Sequence, residues 1–195
     1  MSIEEVKKRF KSSLLIPREK PARQFFLCPI GLVGAGKTTV MKPLCEQLGL
    51  LRISNDEFRK LLKEEGYGWD QASAIAMDIA TEYARAGYSI GVDADCADRA
   101  KRERIEGLAS ELHIPVLYIH INPPEQFIVD KLMSHEQPTW LFESGEQAVE
   151  NYQRRKSLHE GLLLPYIYTF DTSRVDLGEQ IAKGVEKIRA SLTRQ

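Results

Sequence analysis

The chain has 195 residues, of which 43% are hydrophobic and 28% are charged, and these ordinary globular values exclude fibrous, collagen-like and disordered classes. Twenty-seven lysines and arginines against 28 aspartates and glutamates leave a net charge of -1. No overall field therefore drives the chain onto nucleic acid or an anionic membrane, and any site for such a partner must be local.

Membrane-spanning and secretory segments are not expected in this chain. The uncharged stretch over residues 24–36 is 13 residues long, which is short of the roughly 18 to 20 residues needed to span a bilayer. Cys28, Cys45 and Cys96 are far apart, without the spacing of a zinc or redox site. The histidines also lack metal-ligand spacing, and His159 is expected to be structural or at the surface. With no secretory leader expected, these features predict a cytoplasmic protein.

Residues 1–20 are expected to form an N-terminal amphipathic helix and arm. Ile3, Val6 and Phe10 recur at helical spacing and would form one apolar face. We interpret this helix as docked on the remainder of the chain, with a partner-binding arm as the alternative. Residues 21–195 show no repeat and no linker, and they are expected to form one domain.

Short apolar segments alternate with longer helical segments along that domain. Such alternation predicts a parallel sheet that helices cover on both faces, which is an α/β three-layer sandwich. Five strands are predicted, at residues 25–30, 50–53, 88–92, 116–121 and 166–170. The predicted helices cover residues 37–48, 54–65, 72–86, 98–112, 124–133, a segment ending near 160, and 177–192.

The strongest motif lies between the first predicted strand and the next helix. Residues 31–38 read GLVGAGKT, which matches the GxxxxGK[ST] pattern of a phosphate-binding P-loop in the required strand-to-helix context. Glycines allow backbone N–H groups to turn inward around phosphate oxygens, and the helix N-terminus adds partial positive charge. Lys37 would reach the β- and γ-phosphates of ATP, and the Thr38 hydroxyl would bind Mg²⁺. We therefore predict a P-loop NTPase fold whose nucleotide site comprises Gly31, Gly34, Ala35, Gly36, Lys37 and Thr38.

Acidic residues follow the second and third predicted strands. Asp56 lies just after strand two and Asp93 ends strand three, so both are expected in the crevice at the carboxyl ends of the strands. One carboxylate could accept the proton of an attacking hydroxyl, and the other could hold Mg²⁺. The alternatives are a helix cap or first-turn acid for Asp56 and a plain turn acid for Asp93. Asp95 could take the place of Asp93.

These segments together resemble the P-loop kinases that include polynucleotide kinase and zeta-toxin-like kinases. The resemblance is carried by the loop at residues 31–38, by ISNDEFR at residues 53–59 and by VDAD at residues 92–95. It implies that Asp56 is the general base and that Arg59 holds the acceptor or its phosphate. It also implies that Asp93 belongs to the Mg²⁺ and acceptor site. Arg102 fits an arginine that recurs after strand three, with a solvated helix face as the alternative.

The chain departs from that group in its lid, which is predicted at about residues 134–146. Related kinases usually carry arginines there, but no lysine or arginine occurs over residues 132–153. Arginine fingers in related phosphoryl transfers are worth about 10³- to 10⁵-fold in rate. We therefore expect Arg154 or Arg155 to supply this charge from the next helix. The alternatives are a slow enzyme or a lid that serves binding.

The leading hypothesis is an ATP-dependent phosphotransferase that acts on a hydroxyl of a small-molecule or nucleotide-like acceptor. The alternative is a switch or adaptor that binds ATP or GTP with little transfer. A polynucleotide 5′-kinase in the strict sense would need a basic groove, and the cationic cluster at residues 99–104 is too small to establish one. We expect no membrane partner and either a monomer or a dimer.

Overall fold

The computed structural model describes residues 2–134 and 144–193. Its strands are β1 (Phe26–Ile30), β2 (Leu51–Ser54), β3 (Ile90–Asp93), β4 (Val116–Ile121) and β5 (Tyr166–Phe170). All neighbouring strands pair in parallel, in the order β2-β3-β1-β4-β5. The predicted five-stranded parallel sheet is therefore confirmed, and its observed strand ends lie within two residues of the predicted ones.

Eight helices of the described ranges connect and flank these strands. Local signals explain where several of them begin: the Ser54 hydroxyl accepts the Glu57 N–H at 3.3 Å, and the Asp98 carboxylate accepts the Lys101 N–H at 2.9 Å. The helices are α1 (Ile3–Ser13), α2 (Lys37–Leu48), α3 (Asn55–Glu64), α4 (Ala72–Arg85), α5 (Arg99–Glu111), α6 (Glu125–Met133), α7 (Gly145–Lys156) and α8 (Leu177–Thr193).

The two faces of the sheet carry separate apolar cores. Phe26 and Cys28 of β1 pack into one core with apolar side chains of α1, α3, α4 and α5. Leu27, which points to the opposite face, packs into the other core with side chains of α2, α6, α7 and α8. Since successive residues of a strand alternate between faces, one short strand contributes to both cores. The layers are helix, sheet and helix, which confirms the predicted three-layer sandwich.

Pro29 lies inside the central strand β1, where a proline is ordinarily unfavourable. The pairing of β1 with β3 covers Phe26 and Leu27. Beyond them, the Pro29 carbonyl accepts the N–H of Cys96 at 3.0 Å instead of a strand partner. The N–H that proline lacks would point toward the same side, where the β1–β3 ladder has already ended. The strand therefore loses no ladder hydrogen bond at Pro29.

Helix α1 packs on the body of the domain. Val6 and Phe10, two residues of its predicted apolar face, are buried, and the rings of Phe10 and Phe58 lie 4.8 Å apart. An ion pair between Lys11 and Glu82, at 2.6 Å, joins α1 to α4. Because Phe58 belongs to α3, the N-terminal helix supports the helix that carries Asp56.

Replacing Phe10 with alanine is expected to lower the free energy of unfolding by about 3 to 5 kcal/mol, because the ring is 2% exposed and its loss leaves a cavity against α3. Urea denaturation of the full chain measures the change. Lys8→Ala, an exposed position on the same helix, is the control and should change stability by less than about 0.5 kcal/mol. Equal effects of the two substitutions would contradict the docking of α1.

Helix α7 ends at Lys156, four residues before the predicted end near residue 160. After Arg155 the backbone makes successive short-range bonds, including Leu158 N–H to Arg155 O at 3.0 Å and His159 N–H to Lys156 O at 2.9 Å. These three-residue turns tighten the chain, and His159 in them contacts Asp95 at 3.0 Å. Of the predicted lid, residues 135–143 lie outside the described residues.

No helix within residues 2–134 and 144–193 has both the length and the apolar composition needed to cross a membrane.

Candidate functional site

The predicted phosphate loop connects β1 to α2. Gly34 and Gly36 have φ angles of 81° and 87°, in the left-handed region that glycine adopts without strain. A side chain at Gly36 would also meet Thr172 at 3.0 Å. Helix α2 begins at Lys37 with no side-chain cap on its first N–H groups. Those N–H groups are consequently available to an anion, as the sequence motif predicts.

Lys37 lies at the centre of the site. Its ammonium donates to the carbonyls of Gly31 at 2.9 Å and Leu32 at 2.8 Å. Burial lowers the pKa of Lys37 below its usual value, and the charges of the acids around it partly offset that shift. Those acids are Asp95, Asp56 and Asp93. Two of the acids considered from the sequence also contact the P-loop directly, since Asp93 accepts from Thr38 and Asp95 accepts from the N–H of Gly31.

Thr38 and Asp93 lie together at the carboxyl end of β3. The Thr38 hydroxyl donates to the Asp93 carboxylate at 3.2 Å. Asp93 is 4% exposed, and burial raises its pKa against the opposing contacts with Arg52 and Thr38. A hydroxyl and one carboxylate are hard oxygen donors of the kind Mg²⁺ uses together with phosphates and water. Within the described part of the chain, no three His, Cys, Asp or Glu side chains group as a metal site.

Arg52 is a residue of the site that sequence reasoning missed. Its guanidinium donates to Asp93 at 2.5 Å and also pairs with Glu57. Arg52 therefore joins β2, β3 and the first turn of α3. The available signal was a charged residue inside a strand of four residues whose other members are buried.

Asp95 has more partners than its neighbour Asp93. Its carboxylate accepts the N–H of Ala97 at 3.1 Å and of Gly31 at 3.5 Å. His159 Nε2 lies 3.0 Å from it, and the Arg155 guanidinium lies 3.7 Å from it. Although burial alone would raise the pKa of Asp95, the hydrogen bond with His159 and the charge of Lys37 hold it at about 2. Asp95 is consequently an anion that ties the start of the P-loop to the end of α7.

Asp56 and Arg59 lie in α3, the helix that follows β2. Ser54 caps this helix, so Asp56 is a first-turn residue and not the cap. Its exposed carboxylate accepts from Arg59 at 3.2 Å. In the described ranges, Arg59 Nε is the buried side-chain nitrogen left without a hydrogen bond. The pair presents an exposed carboxylate beside an arginine side chain that is itself 35% exposed.

The remaining predicted residues lie at different distances from this centre. Arg102 donates to the carbonyls of Cys96 at 3.2 Å and Ala97 at 2.8 Å, and so fixes the loop after β3. Arg154 donates to Asn151 of its own helix at 2.8 Å. Of the two candidate arginines of α7, Arg155 is therefore the one that the described contacts bring to the site.

Thr172 is a second neighbour that sequence reasoning missed. Its hydroxyl donates to the Ala35 carbonyl at 2.8 Å, so the turn after β5 lies against the P-loop. The signal available was its position just beyond a parallel strand, at the edge where ligands bind.

Comparison with known proteins relates this site to a family. A family model described as AAA domain matches residues 27–157, which includes the P-loop, Asp56 and both acids after β3. No curated protein sequence matches the chain significantly.

Solved structures of similar fold include several kinases. The APS kinase CysC of Mycobacterium tuberculosis, solved in complex with AMPPNP and APS, has a TM-score of 0.59 and 16% identity, covering 87% of this chain and 99% of that chain. A gluconokinase from Sinorhizobium meliloti 1021 has a TM-score of 0.55 and 13% identity, covering 91% of this chain and 99% of that chain.

A third similar structure comes from the PezAT chromosomal toxin-antitoxin system of Streptococcus pneumoniae. It has a TM-score of 0.57 and 15% identity, covering 97% of this chain and 95% of that chain. At identities this low, structural similarity is evidence for the fold alone. The similarity to these structures confirms the predicted P-loop NTPase fold and the resemblance to P-loop kinases.

Proposed function

Because this chain belongs to the AAA domain family, and its fold is that of P-loop kinases, we propose that it transfers the γ-phosphoryl group of Mg-ATP to a hydroxyl of an acceptor. The observation that carries the proposal is the contact of two acids with one P-loop: Asp93 accepts from the Thr38 hydroxyl at 3.2 Å, and Asp95 accepts from the Gly31 N–H at 3.5 Å. The site thus combines a phosphate-binding loop and hard oxygen donors for a metal with an exposed carboxylate, Asp56, that can act as a base.

The donor nucleotide would bind at the P-loop and the N-terminus of α2. The loop N–H groups would hold the phosphates, and Lys37 would exchange its two carbonyl partners for β- and γ-phosphate oxygens. A similar fold solved with AMPPNP supports an adenine nucleotide as donor. The positive charge of Lys37 then lies where negative charge develops during transfer, which stabilises the transition state.

Thr38 and Asp93 are the side chains that would hold Mg²⁺ with the nucleotide, because their oxygens are adjacent at 3.2 Å. When bound, the metal supplies charge neutralisation on the β- and γ-phosphate oxygens. Arg52 keeps the Asp93 carboxylate in a fixed orientation. Asp93 is therefore oriented before nucleotide arrives.

Asp56 is the proposed general base for the acceptor. Its exposed carboxylate would take the proton of the acceptor hydroxyl while the oxygen of that hydroxyl bonds to the γ-phosphorus. The bond from the γ-phosphorus to the bridging oxygen breaks in the same step, and ADP leaves. Arg59, whose side chain lies beside Asp56 and is 35% exposed, would bind the acceptor or its phosphate. This assignment follows both the geometry and the resemblance stated for ISNDEFR.

A small-molecule or nucleotide-like acceptor is favoured over a polynucleotide. Within the cationic cluster at residues 99–104, Arg99 pairs with Glu103 at 2.7 Å and Arg104 pairs with Asp78 at 2.6 Å. These pairs neutralise charge that a nucleic-acid groove would need. An oligonucleotide acceptor would show a steep salt dependence of binding, and a small acceptor would not.

The experiment that tests the function follows ADP release by the full chain with Mg-ATP. Candidate acceptors are sugars, nucleosides, antibiotics, amino-sugar nucleotides and 5′-hydroxyl oligonucleotides. Release that depends on one acceptor class, with phosphate recovered on its hydroxyl, supports the kinase. Tight nucleotide binding without acceptor-dependent release would instead indicate the switch or adaptor.

Arg155 is expected to matter more for transfer than Arg154, although both lie in α7. Arg155→Ala should lower kcat by about 10- to 100-fold; this is less than a buried arginine finger contributes, because Arg155 is 36% exposed and screened by water. Arg154→Ala removes the same charge from a side chain that binds Asn151. Steady-state rates of the two variants show which arginine contributes more to transfer. A larger loss of kcat with Arg154→Ala would contradict the assignment of this role to Arg155.

A further inference from the structure

The contact between Asp95 and His159 joins two parts of the chain that are 64 residues apart. Both side chains are largely withdrawn from solvent, with 8% of Asp95 and 14% of His159 exposed. Asp95 also receives the N–H groups of Gly31 and Ala97. One carboxylate therefore links the first residue of the P-loop, the loop after β3 and the turn after α7.

The contact between Asp95 and His159 can influence where Arg155 lies, because Arg155 and His159 are close together in sequence and both approach Asp95. The predicted lid and the first nine residues of α7 belong to a segment without lysine or arginine, residues 132–153. Of the two arginines that follow in α7, Arg155 is the one that contacts the site. Its guanidinium is 3.7 Å from Asp95, a loose ion pair on a side chain that is 36% exposed. A contact of that length does not hold a flexible arginine by itself. The contact between His159 and Asp95 is shorter, at 3.0 Å, and His159 is four residues after Arg155. This contact can therefore hold the end of α7 against Asp95.

We propose that His159 is a positioning residue, which holds the end of α7 on Asp95 and thereby keeps Arg155 beside Lys37 and the transferring phosphoryl group. The role in catalysis rests on the kinase function proposed above. The hydrogen bond joins an imidazole nitrogen to a carboxylate oxygen at 3.0 Å, within normal hydrogen-bond distance, and bonds to carboxylates are among the stronger ones in proteins. His159 does not touch the reacting atoms and acts through Arg155.

The test compares the wild-type chain with His159→Ala, His159→Gln and the control Glu160→Ala, an exposed neighbour. Amide hydrogen exchange over residues 145–164 reports the anchoring without any turnover. We expect exchange there to be at least about 5-fold faster in His159→Ala, since a lost hydrogen bond to a carboxylate shifts a local opening equilibrium by roughly that factor or more. His159→Gln keeps a side-chain N–H donor and should stay close to the wild type, as should Glu160→Ala.

Steady-state kinetics distinguish a positioning role of His159 from a role in stability alone. His159→Ala should lower kcat by about 10-fold and leave KM for ATP within about 2-fold, because the lost interaction acts on the transition state. His159→Gln should restore most of the rate. In the double variant with Arg155→Ala, the second substitution should cost no more than about 2-fold, because both remove the same interaction.

Each outcome decides the inference. Unchanged exchange over residues 145–164 in His159→Ala overturns it, and so does an effect that adds fully to that of Arg155→Ala. Equal losses with glutamine and alanine would also overturn it. If no acceptor gives ADP release, the kinase proposal fails separately, and the exchange rates alone then decide whether His159 anchors α7.

Discussion

Replacing Lys37 with alanine is expected to lower kcat/KM for phosphoryl transfer by about 10³-fold. The ammonium bonds to two carbonyls of the P-loop, and under the proposed function it would lie beside the γ-phosphoryl group as that group gains negative charge. Removing one preorganised donor of this kind costs about 10²- to 10³-fold in kcat, and weaker nucleotide binding adds to the loss. ADP release with a saturating acceptor and varied ATP measures both effects.

The control for Lys37→Ala is Lys42→Ala, which removes the same charge from an exposed position of the same helix. It should leave transfer and nucleotide affinity within about 2-fold of the wild type. A second check is the unfolding midpoint in urea, since Lys37 also bonds to two carbonyls of its own loop. Transfer that survives Lys37→Ala in a folded protein would rule out the proposed donor site.

Replacing Asp56 with asparagine is expected to lower kcat by about 10²- to 10⁴-fold, the range that general-base catalysis contributes. Asparagine has almost the same shape but cannot accept the acceptor proton. KM for ATP should change little, because Asp56 lies in α3 and not in the P-loop. This split between kcat and KM separates a base from a nucleotide ligand.

The competing interpretation of Asp56 as an ordinary first-turn acid makes a different prediction. A first-turn acid contributes about 0.3 to 1 kcal/mol to helix stability through the dipole, and its loss would not affect transfer. Glu64→Gln, at the other end of α3 and also exposed, is the matched control. If Asp56→Asn transfers phosphate as fast as Glu64→Gln, the base must be sought elsewhere in the site.

The phosphate loop, the capped start of α3 and the strand–helix alternation were predictable because each depends on residues close together in the chain. Gly34 and Gly36 adopt positive φ angles as the motif requires, and Ser54 caps α3 as the run SNDE indicates. The burial of Phe10 follows the same local periodicity. Helix α7 ends at Lys156, earlier than its pattern suggests, and His159 just beyond that end contacts Asp95, which is 64 residues away in sequence and so is not visible to a local pattern.

The partners of the acidic residues could not be predicted in this way. Asp93 pairs with Arg52 and Asp95 with His159, and neither pair is close in sequence. The sequence left Asp93 and Asp95 as alternatives for the metal side, and it left Arg154 and Arg155 as alternatives for the missing lid charge. In the folded chain Asp93 lies against Thr38, and Asp95 lies against His159 and Arg155.

The net charge of -1 gives the balance of acidic and basic residues but not which of them form pairs. By itself the sequence determined which residue types are available, the phosphate loop and the parallel α/β architecture, since local spacing controls backbone geometry and burial. Only the tertiary structure decided which charges meet, since parallel strands bring their carboxyl ends together at one edge whatever their separation along the chain. Under the proposed function, Arg155 would supply the positive charge that residues 132–153 lack, and its contact with Asp95 joins the end of α7 to the loop after β3.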